Sequence, residues 1–132
     1  MKKVPTIKAY IAYKGKEFTI EWYFNIKGES PALEYFKELT EGQKNKTFEL
    51  IRAMGDAGKI INTEKFNFEG DKLFAFKPSP DRFFCFFYKG SKLIITNAYK
   101  KKSQKMPPRE KERALKLRDD YSKRCDEGNY YD

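Results

Sequence analysis

Residues 73–99 place the strongest constraint on the fold, because three short runs rich in aromatic and β-branched residues follow one another there. The runs are Leu73–Lys77, Arg82–Tyr88 and Leu93–Tyr99. Pro-Ser-Pro-Asp separates the first two runs and Lys-Gly-Ser-Lys separates the last two, and both tetrapeptides consist largely of turn-forming residues. Loops this short join antiparallel neighbours, so residues 72–99 are predicted to form a three-stranded antiparallel meander.

The first sixty residues predict a hairpin and two amphipathic helices. Residues 6–24 flank a Lys-Gly-Lys turn with alternating residues, as a hairpin does. Ser30-Pro31 suits the start of a helix, and helically spaced apolar residues continue to Gly58, so two short helices are predicted over about residues 30–58. The alternating residues are Ile7, Ala9, Ile11 and Tyr13, and the helical ones are Ala32, Tyr35, Phe36, Leu39, Thr47, Leu50, Ile51 and Met54.

A last helix is predicted over about residues 107–122. Pro107 and Pro108 suit its first turn, and Glu110 lies where the helix dipole favours an acid. Its apolar stripe is narrow, so we expect it to be weakly anchored, and residues 123–132 have the composition of a frayed tail. The stripe consists of Ala114, Leu117 and Tyr121. We find no repeat or linker, so one domain is predicted over residues 1–132.

Composition favours a folded basic protein without metal or histidine chemistry. Aromatic residues make up 17% of the 132 residues and charged residues 36%, which indicates an aromatic interior under a charged surface. There is no His and there are only two Cys, which excludes His-based catalysis and leaves too few soft ligands for zinc. Lysines and Pro5 interrupt the N-terminal region, so no signal peptide or membrane span is expected, and the default expectation is a cytoplasmic protein without a cofactor.

The net charge of +9 comes mainly from the second half of the chain. Residues 1–71 hold 12 Lys and Arg against 11 Asp and Glu, whereas residues 72–132 hold 16 against 8. This asymmetry favours a polyanionic partner such as nucleic acid, or an acidic protein, although lysine-rich segments also serve solubility alone.

Three polar residues of the meander are predicted to form a row on one face of the sheet. If both loops are symmetric, Lys77 faces Arg82, and Arg82 faces Tyr99. The same rule places Phe86 opposite Ile95. The alternative is that Lys77 and Arg82 are charges at a sheet edge that oppose aggregation, with Tyr99 covering the core.

A lysine-rich segment follows this row directly, so a phosphate at this end of the sheet would meet several cations. The segment is Lys100-Lys101-Lys102-Ser103-Gln104-Lys105.

These features, in this order and spacing, resemble the RelE/HigB-type toxins of type II toxin–antitoxin modules, and most closely the phage-derived HigB-like subgroup. The resemblance covers about residues 18–121, and no single motif in it is specific. Beside the meander and the lysine segment, it rests on Ser30-Pro31, Pro107, Ala114 and Asp120-Tyr121. It implies a small α+β domain of RelE/ParE-like fold: a twisted antiparallel sheet, two N-terminal helices on one face, a C-terminal helix and a basic cleft.

The resemblance also implies a function. Members of this family are typically ribosome-dependent endoribonucleases that cut mRNA and are paired with a helix-turn-helix antitoxin, so ribosome, mRNA and antitoxin are the expected partners. Carried over to this sequence, Arg82 would hold the non-bridging phosphate oxygens, Lys77 and Lys101 would stabilise charge or move protons, and Tyr99 would stack on a base or donate a proton. Phosphate-positioning roles fall to Lys100, Lys102, Lys105 and Arg109.

Two positions depart from the family pattern. Ala75 stands where the pattern has an acidic residue, and Lys77 stands where it has Arg, so a bidentate phosphate fork becomes a point charge. The alternative function is therefore a non-catalytic, toxin-like protein that binds an antitoxin or, as ParE-like proteins do, a protein target.

Overall fold

The structure, a computed structural model, describes residues 10–131 and shows an α+β fold with six strands and three helices in that range. The predicted fold class is therefore confirmed. The strands are β1 (Ile11–Lys14), β2 (Thr19–Trp22), β3 (Phe66–Gly70), β4 (Leu73–Phe76), β5 (Asp81–Tyr88) and β6 (Lys92–Lys100). The helices are α1 (Pro31–Lys37), α2 (Glu41–Ala57) and α3 (Pro108–Asp126). None of these helices is long and apolar enough to cross a membrane.

All six strands belong to one sheet, in the order β1-β2-β6-β5-β4-β3. Strands β4 to β6 form the predicted meander, and β1 pairs with β2 as the predicted hairpin, of which Ile7 and Ala9 lie outside the described residues. The sheet is mixed, not wholly antiparallel as predicted, because β2 and β6 run parallel. Strand β3 was not predicted, although Phe66 and Phe68 alternate there with polar residues.

Strands β4 and β5 have the predicted register at all their observed pairs, whereas β5 and β6 have it at one end only. Arg82 lies opposite Tyr99, as predicted. Further along, the pairing shifts by one residue, so that Phe86 lies opposite Ile94 and the prediction of Ile95 is wrong. The second loop is asymmetric, and one extra residue on β6 forms a bulge that restores the pairing before the strand ends.

Helices α1 and α2 lie within the predicted range of about residues 30–58, and both have side-chain caps at their first turns. The Ser30 hydroxyl caps α1 by accepting a hydrogen bond from the Leu33 amide at 3.4 Å, and the Thr40 hydroxyl accepts one from the Gln43 amide at 3.2 Å to cap α2. Gly58 ends α2 with a φ of 76°, a left-handed conformation that glycine adopts without strain.

The helices lie on opposite faces of the sheet. On the α1/α2 face, Tyr35 of α1 packs edge-on against Phe83 of β5, with ring centroids 5.7 Å apart. On the α3 face, Tyr121 of α3 packs against Phe86 of β5 at 5.5 Å. Alternate residues of β5 therefore pack against helices on the two opposite faces of the sheet.

The expectation that α3 is weakly anchored is wrong. Tyr121 is completely buried, Lys111 forms an ion pair with Asp71 at 2.9 Å, and Arg118 donates a hydrogen bond to the Asp71 carbonyl. A narrow apolar stripe is enough to hold α3 on the sheet because polar side chains at the edges of the stripe bind the turn between β3 and β4.

The frayed tail that we predicted from residue 123 onward is also absent within the described range. Helix α3 continues to Asp126. Beyond it, Tyr130 is only 3% exposed, and its hydroxyl oxygen accepts a hydrogen bond from the Phe24 amide at 2.9 Å. The segment from Glu127 to Tyr131 therefore completes the core beside β2, because its aromatic residues fill space that the short β2 strand leaves open.

Candidate functional site

The candidate site lies on the α3 face, at the end of β5 and β6. Arg82 and Tyr99 are direct cross-strand neighbours there, and both are partly exposed. The Tyr99 ring stacks on Phe84 with centroids 5.8 Å apart and an angle of 29° between the planes. The Arg82 Nη1 atom donates a hydrogen bond to the Asp81 carbonyl at 3.0 Å, which leaves its other N–H groups available.

The surroundings of Tyr99 keep its hydroxyl protonated. Burial raises the pKa of Tyr99 above its usual value of 10.0, Arg82 opposes that rise, and the carboxylates of Glu69 and Glu110 add to it. At neutral pH this side chain can donate a proton or a hydrogen bond but cannot act as a base.

Lys77 does not join the row at Arg82. Strand β4 ends at Phe76, one residue earlier, and the Lys77 ammonium donates a hydrogen bond to the Thr63 carbonyl at 3.4 Å. The structure therefore brings Arg82 and Tyr99 together and leaves Lys77 directed toward the segment that precedes β3.

The lysine-rich segment lies beside the same end of the sheet. The Lys101 amide donates a hydrogen bond to the Pro80 carbonyl at 2.9 Å, so the segment is tied to the loop between β4 and β5. Residues 101–104 line an open concavity of about 360 Å³. Lys102, Lys105 and Arg109 are exposed and provide positive charge around it.

Lys100 lies apart from these cations. Being adjacent to Tyr99 on a strand, it points to the opposite side, where it lines a pocket of about 490 Å³ on the α1/α2 face. The Lys100 side chain therefore lies on the other face of the sheet from Tyr99, although it was predicted to lie with the other cations of this segment.

A sequence model of a known protein family matches most of the chain. The sequence model described as phage derived protein Gp49-like (DUF891) matches residues 34–119. The chain belongs to the Gp49-like family. The matched part begins within α1, ends within α3 and contains Arg82 and Tyr99. No curated protein matches the chain.

Within this Gp49-like domain, sequence reasoning missed the carboxylates near Tyr99. Ala75, where the RelE/HigB pattern has an acidic residue, is 2% exposed and lies opposite Phe84. The carboxylates that act on Tyr99 are instead those of Glu69 in β3 and Glu110 in α3. Strand β3 was not predicted, and Glu110 was interpreted only as a helix-start residue.

Asp81, at the start of β5, was also missed. It is 3% exposed and accepts hydrogen bonds from the Tyr35 hydroxyl at 2.5 Å and the Gln43 Nε2 atom at 2.8 Å. These bonds join β5 to both α1 and α2 and fix the residue that precedes Arg82. An acidic residue at the start of an otherwise apolar strand is the sequence signal that could have identified it.

Proposed function

We propose that the protein is the toxin of a type II toxin–antitoxin module and that it inhibits translation by cutting mRNA on the ribosome. The observation that carries this proposal is the Gp49-like match over residues 34–119, which includes the Arg82–Tyr99 pair and the lysine segment beside it. A helix-turn-helix antitoxin is the partner that would hold the toxin inactive, and the HigB-like subgroup is the finer assignment that we favour.

The chemistry would be attack by a ribose 2′-oxygen on the adjacent phosphorus. The 2′-hydroxyl gives its proton to the neutral amine of Lys101 or Lys77, and its oxygen forms a bond to phosphorus. The bond from phosphorus to the 5′-oxygen breaks, that oxygen takes up a proton, and the products are a 2′,3′-cyclic phosphate and a 5′-hydroxyl. Arg82 would bind the non-bridging oxygens, where negative charge develops. Tyr99, protonated in its partly buried position, would donate to the leaving 5′-oxygen or stack on a base.

The lysines would supply the remaining charge and proton transfer. Lys101 would contact the phosphate from the side of the β4–β5 loop. Lys77 would contact the phosphate only after its ammonium breaks the hydrogen bond to the Thr63 carbonyl. The exposed cations Lys102, Lys105 and Arg109 would position the neighbouring phosphates. Lys100 would contact RNA only if the strand passes around the end of the sheet to the α1/α2 face.

Cleavage of mRNA in a translating extract tests this function. The parent chain should cut mRNA, and Arg82→Ala should reduce the rate by about 100-fold, because a positioned cation stabilises the pentavalent phosphorus. Arg82→Lys should restore part of the rate, since an ammonium lacks the bidentate fork. Arg52→Ala, which removes an exposed arginine from α2, is the matched control and should cleave like the parent.

The second candidate is a non-catalytic toxin that binds a protein target. The buried Ala75 favours it, because no carboxylate is available at that position to act as base. Growth arrest on expression, with mRNA intact in the extract, would support this candidate, and normal growth at confirmed expression would contradict both.

A further inference from the structure

Strand β3 ends the sheet, and no other strand within residues 10–131 pairs with its outer edge. The Lys77 amide donates to the Lys65 carbonyl at 2.8 Å, so this carbonyl points toward β4. Backbone groups alternate along an antiparallel strand, and those of Phe66 and Phe68 therefore point away from the sheet. The Phe66 amide is bonded to the Asn62 carbonyl at 3.1 Å, which leaves the Phe66 carbonyl and both groups of Phe68 on the open edge.

The side chains of this edge form an aromatic surface that is partly open. Phe66 and Phe68 both pack against Phe74, with ring centroids 5.5 Å and 5.3 Å away. Phe68 is nevertheless 55% exposed, and Phe87 on the same face is 38% exposed. An open strand edge beside exposed aromatic rings is a template for pairing with another strand.

The sequence of β3, together with Lys65 directly before it, is complementary to itself. A two-fold axis through Asn67 sets Phe66 of one copy opposite Phe68 of the other, so that the Phe68 amide of each copy meets the free Phe66 carbonyl of its partner. The same axis sets Lys65 opposite Glu69 twice. Neither charge forms an ion pair with another described residue. Moving the axis to Phe66 sets Lys65 opposite Asn67, and moving it to Phe68 sets Lys65 opposite Asp71, which already forms an ion pair with Lys111.

We propose that two copies of the chain pair through β3, antiparallel about Asn67, and form one continuous sheet. The surface so buried includes Glu69, whose carboxylate acts on Tyr99, but it contains neither Arg82 nor Tyr99, which lie on the inner strands β5 and β6. The dimer therefore depends on neither the proposed nuclease activity nor the antitoxin.

A charge swap tests this register by sedimentation of the full chain. The parent should sediment as a dimer at micromolar concentration. Glu69→Lys puts like charges opposite each other twice and should raise the dimer dissociation constant about tenfold. Adding Lys65→Glu to the same chain restores both opposite pairs and should restore the dimer. Glu49→Lys makes the same charge change on the exposed side of α2 and should leave the dimer unchanged.

A cysteine at the two-fold axis tests the geometry. Asn67 of one copy would lie opposite Asn67 of the other, at a non-hydrogen-bonded pair. The two Cα atoms of such a pair lie about 4.5 Å apart, close enough for a disulfide. Asn67→Cys should therefore form a covalent dimer on mild oxidation, and Asn45→Cys, on exposed α2, should not. Circular dichroism confirms that each variant is folded. A chain that is monomeric at all concentrations would overturn the proposal. So would a dimer whose dissociation constant is unchanged by Glu69→Lys and that does not cross-link at residue 67.

Discussion

Tyr99 lies close to one cation and two carboxylates, and this setting decides what its hydroxyl can do. Its pKa is raised, so it remains protonated near neutral pH. If it donates to the leaving oxygen, Tyr99→Phe should reduce single-turnover cleavage of mRNA by about 100-fold. The ring stays stacked on Phe84 in this variant, so RNA binding and the free energy of unfolding should change little. Cleavage at the parent rate would limit Tyr99 to stacking.

The Arg82–Tyr99 pair was predicted from a symmetric loop between β5 and β6. That loop is asymmetric, and the pair forms because the extra residue in β6 shifts the register back before the strand ends. The sequence does not predict that β4 ends before Lys77. The last paired residue of a strand depends on whether the neighbouring strand has a backbone group in position to pair with it. Asp81 illustrates the remaining gap: its partners Tyr35 and Gln43 lie far away in sequence, and only the folded chain brings them together.

At the scale of elements, the β1–β2 turn packs directly on helix α2. The Glu17 and Phe18 amides both donate to the Gly55 carbonyl, at 2.8 and 3.0 Å. A Cβ atom on Gly15 would lie 2.2 Å from that carbonyl group, which is much closer than atoms can approach. Glycines at both positions therefore allow the strand turn and the helix backbone to touch.

Gly15→Ala should lower the free energy of unfolding by about 3 kcal/mol, because backbone atoms must move to make room. Gly42→Ala is the matched control, since a Cβ there meets nothing within 4 Å and alanine favours the first turn of α2. It should leave stability unchanged or raise it by up to about 1 kcal/mol. Denaturant unfolding measures both, and equal stabilities would show that the turn can move away from α2.

The C-terminal segment contributes to the core through Tyr130. Tyr130→Phe keeps the ring but removes the acceptor of the buried Phe24 amide, which should cost about 1–3 kcal/mol of unfolding free energy. Tyr13→Phe removes only a partly buried hydrogen bond to the Asp56 carboxylate. Water can replace the lost hydroxyl as donor there, so this variant should lower the free energy of unfolding by less than about 1 kcal/mol. Thermal or denaturant unfolding compares the two, and a parent-like Tyr130→Phe would mean that the hydrogen bond to the Phe24 amide adds no net stability.

The helices, the hairpin and the meander follow from the sequence because periodicity and turn residues are local signals. The parallel pairing of β2 with β6 and the position of α3 on the far face are long-range properties. The tail was misinterpreted for the same reason: Tyr130 lies in a polar stretch, and its burial depends on residues about a hundred positions earlier.

At the scale of the whole molecule, the two faces of the sheet have different partners. Helices α1 and α2 close one face, and α3 covers the other but leaves its end at Arg82 and Tyr99 open. The positive second half of the chain surrounds that open end, through the lysine segment and the start of α3. A polyanion would therefore be attracted to this open end of the α3 face.

The core around α3 should make folding sensitive to alkaline pH. Tyr23, Tyr121 and Tyr130 are at most 3% exposed, and burial is the main cause that raises the pKa of each above 10.0, with a hydrogen bond to Asp120 adding to the rise for Tyr23. In the unfolded chain they ionise near pH 10, so between the two pKa values the folded state binds more protons.

The stability due to these tyrosines is therefore fully present below about pH 9 and decreases above about pH 10, by roughly 1.4 kcal/mol per pH unit for each buried group. Denaturant unfolding at increasing pH, followed by circular dichroism together with tyrosinate absorbance, measures this decrease. Tyr121→Phe should reduce the slope by one proton, because one buried hydroxyl is gone. Tyrosinate that forms completely near pH 10 while the fold persists would show that these hydroxyls are accessible to solvent and would contradict the prediction.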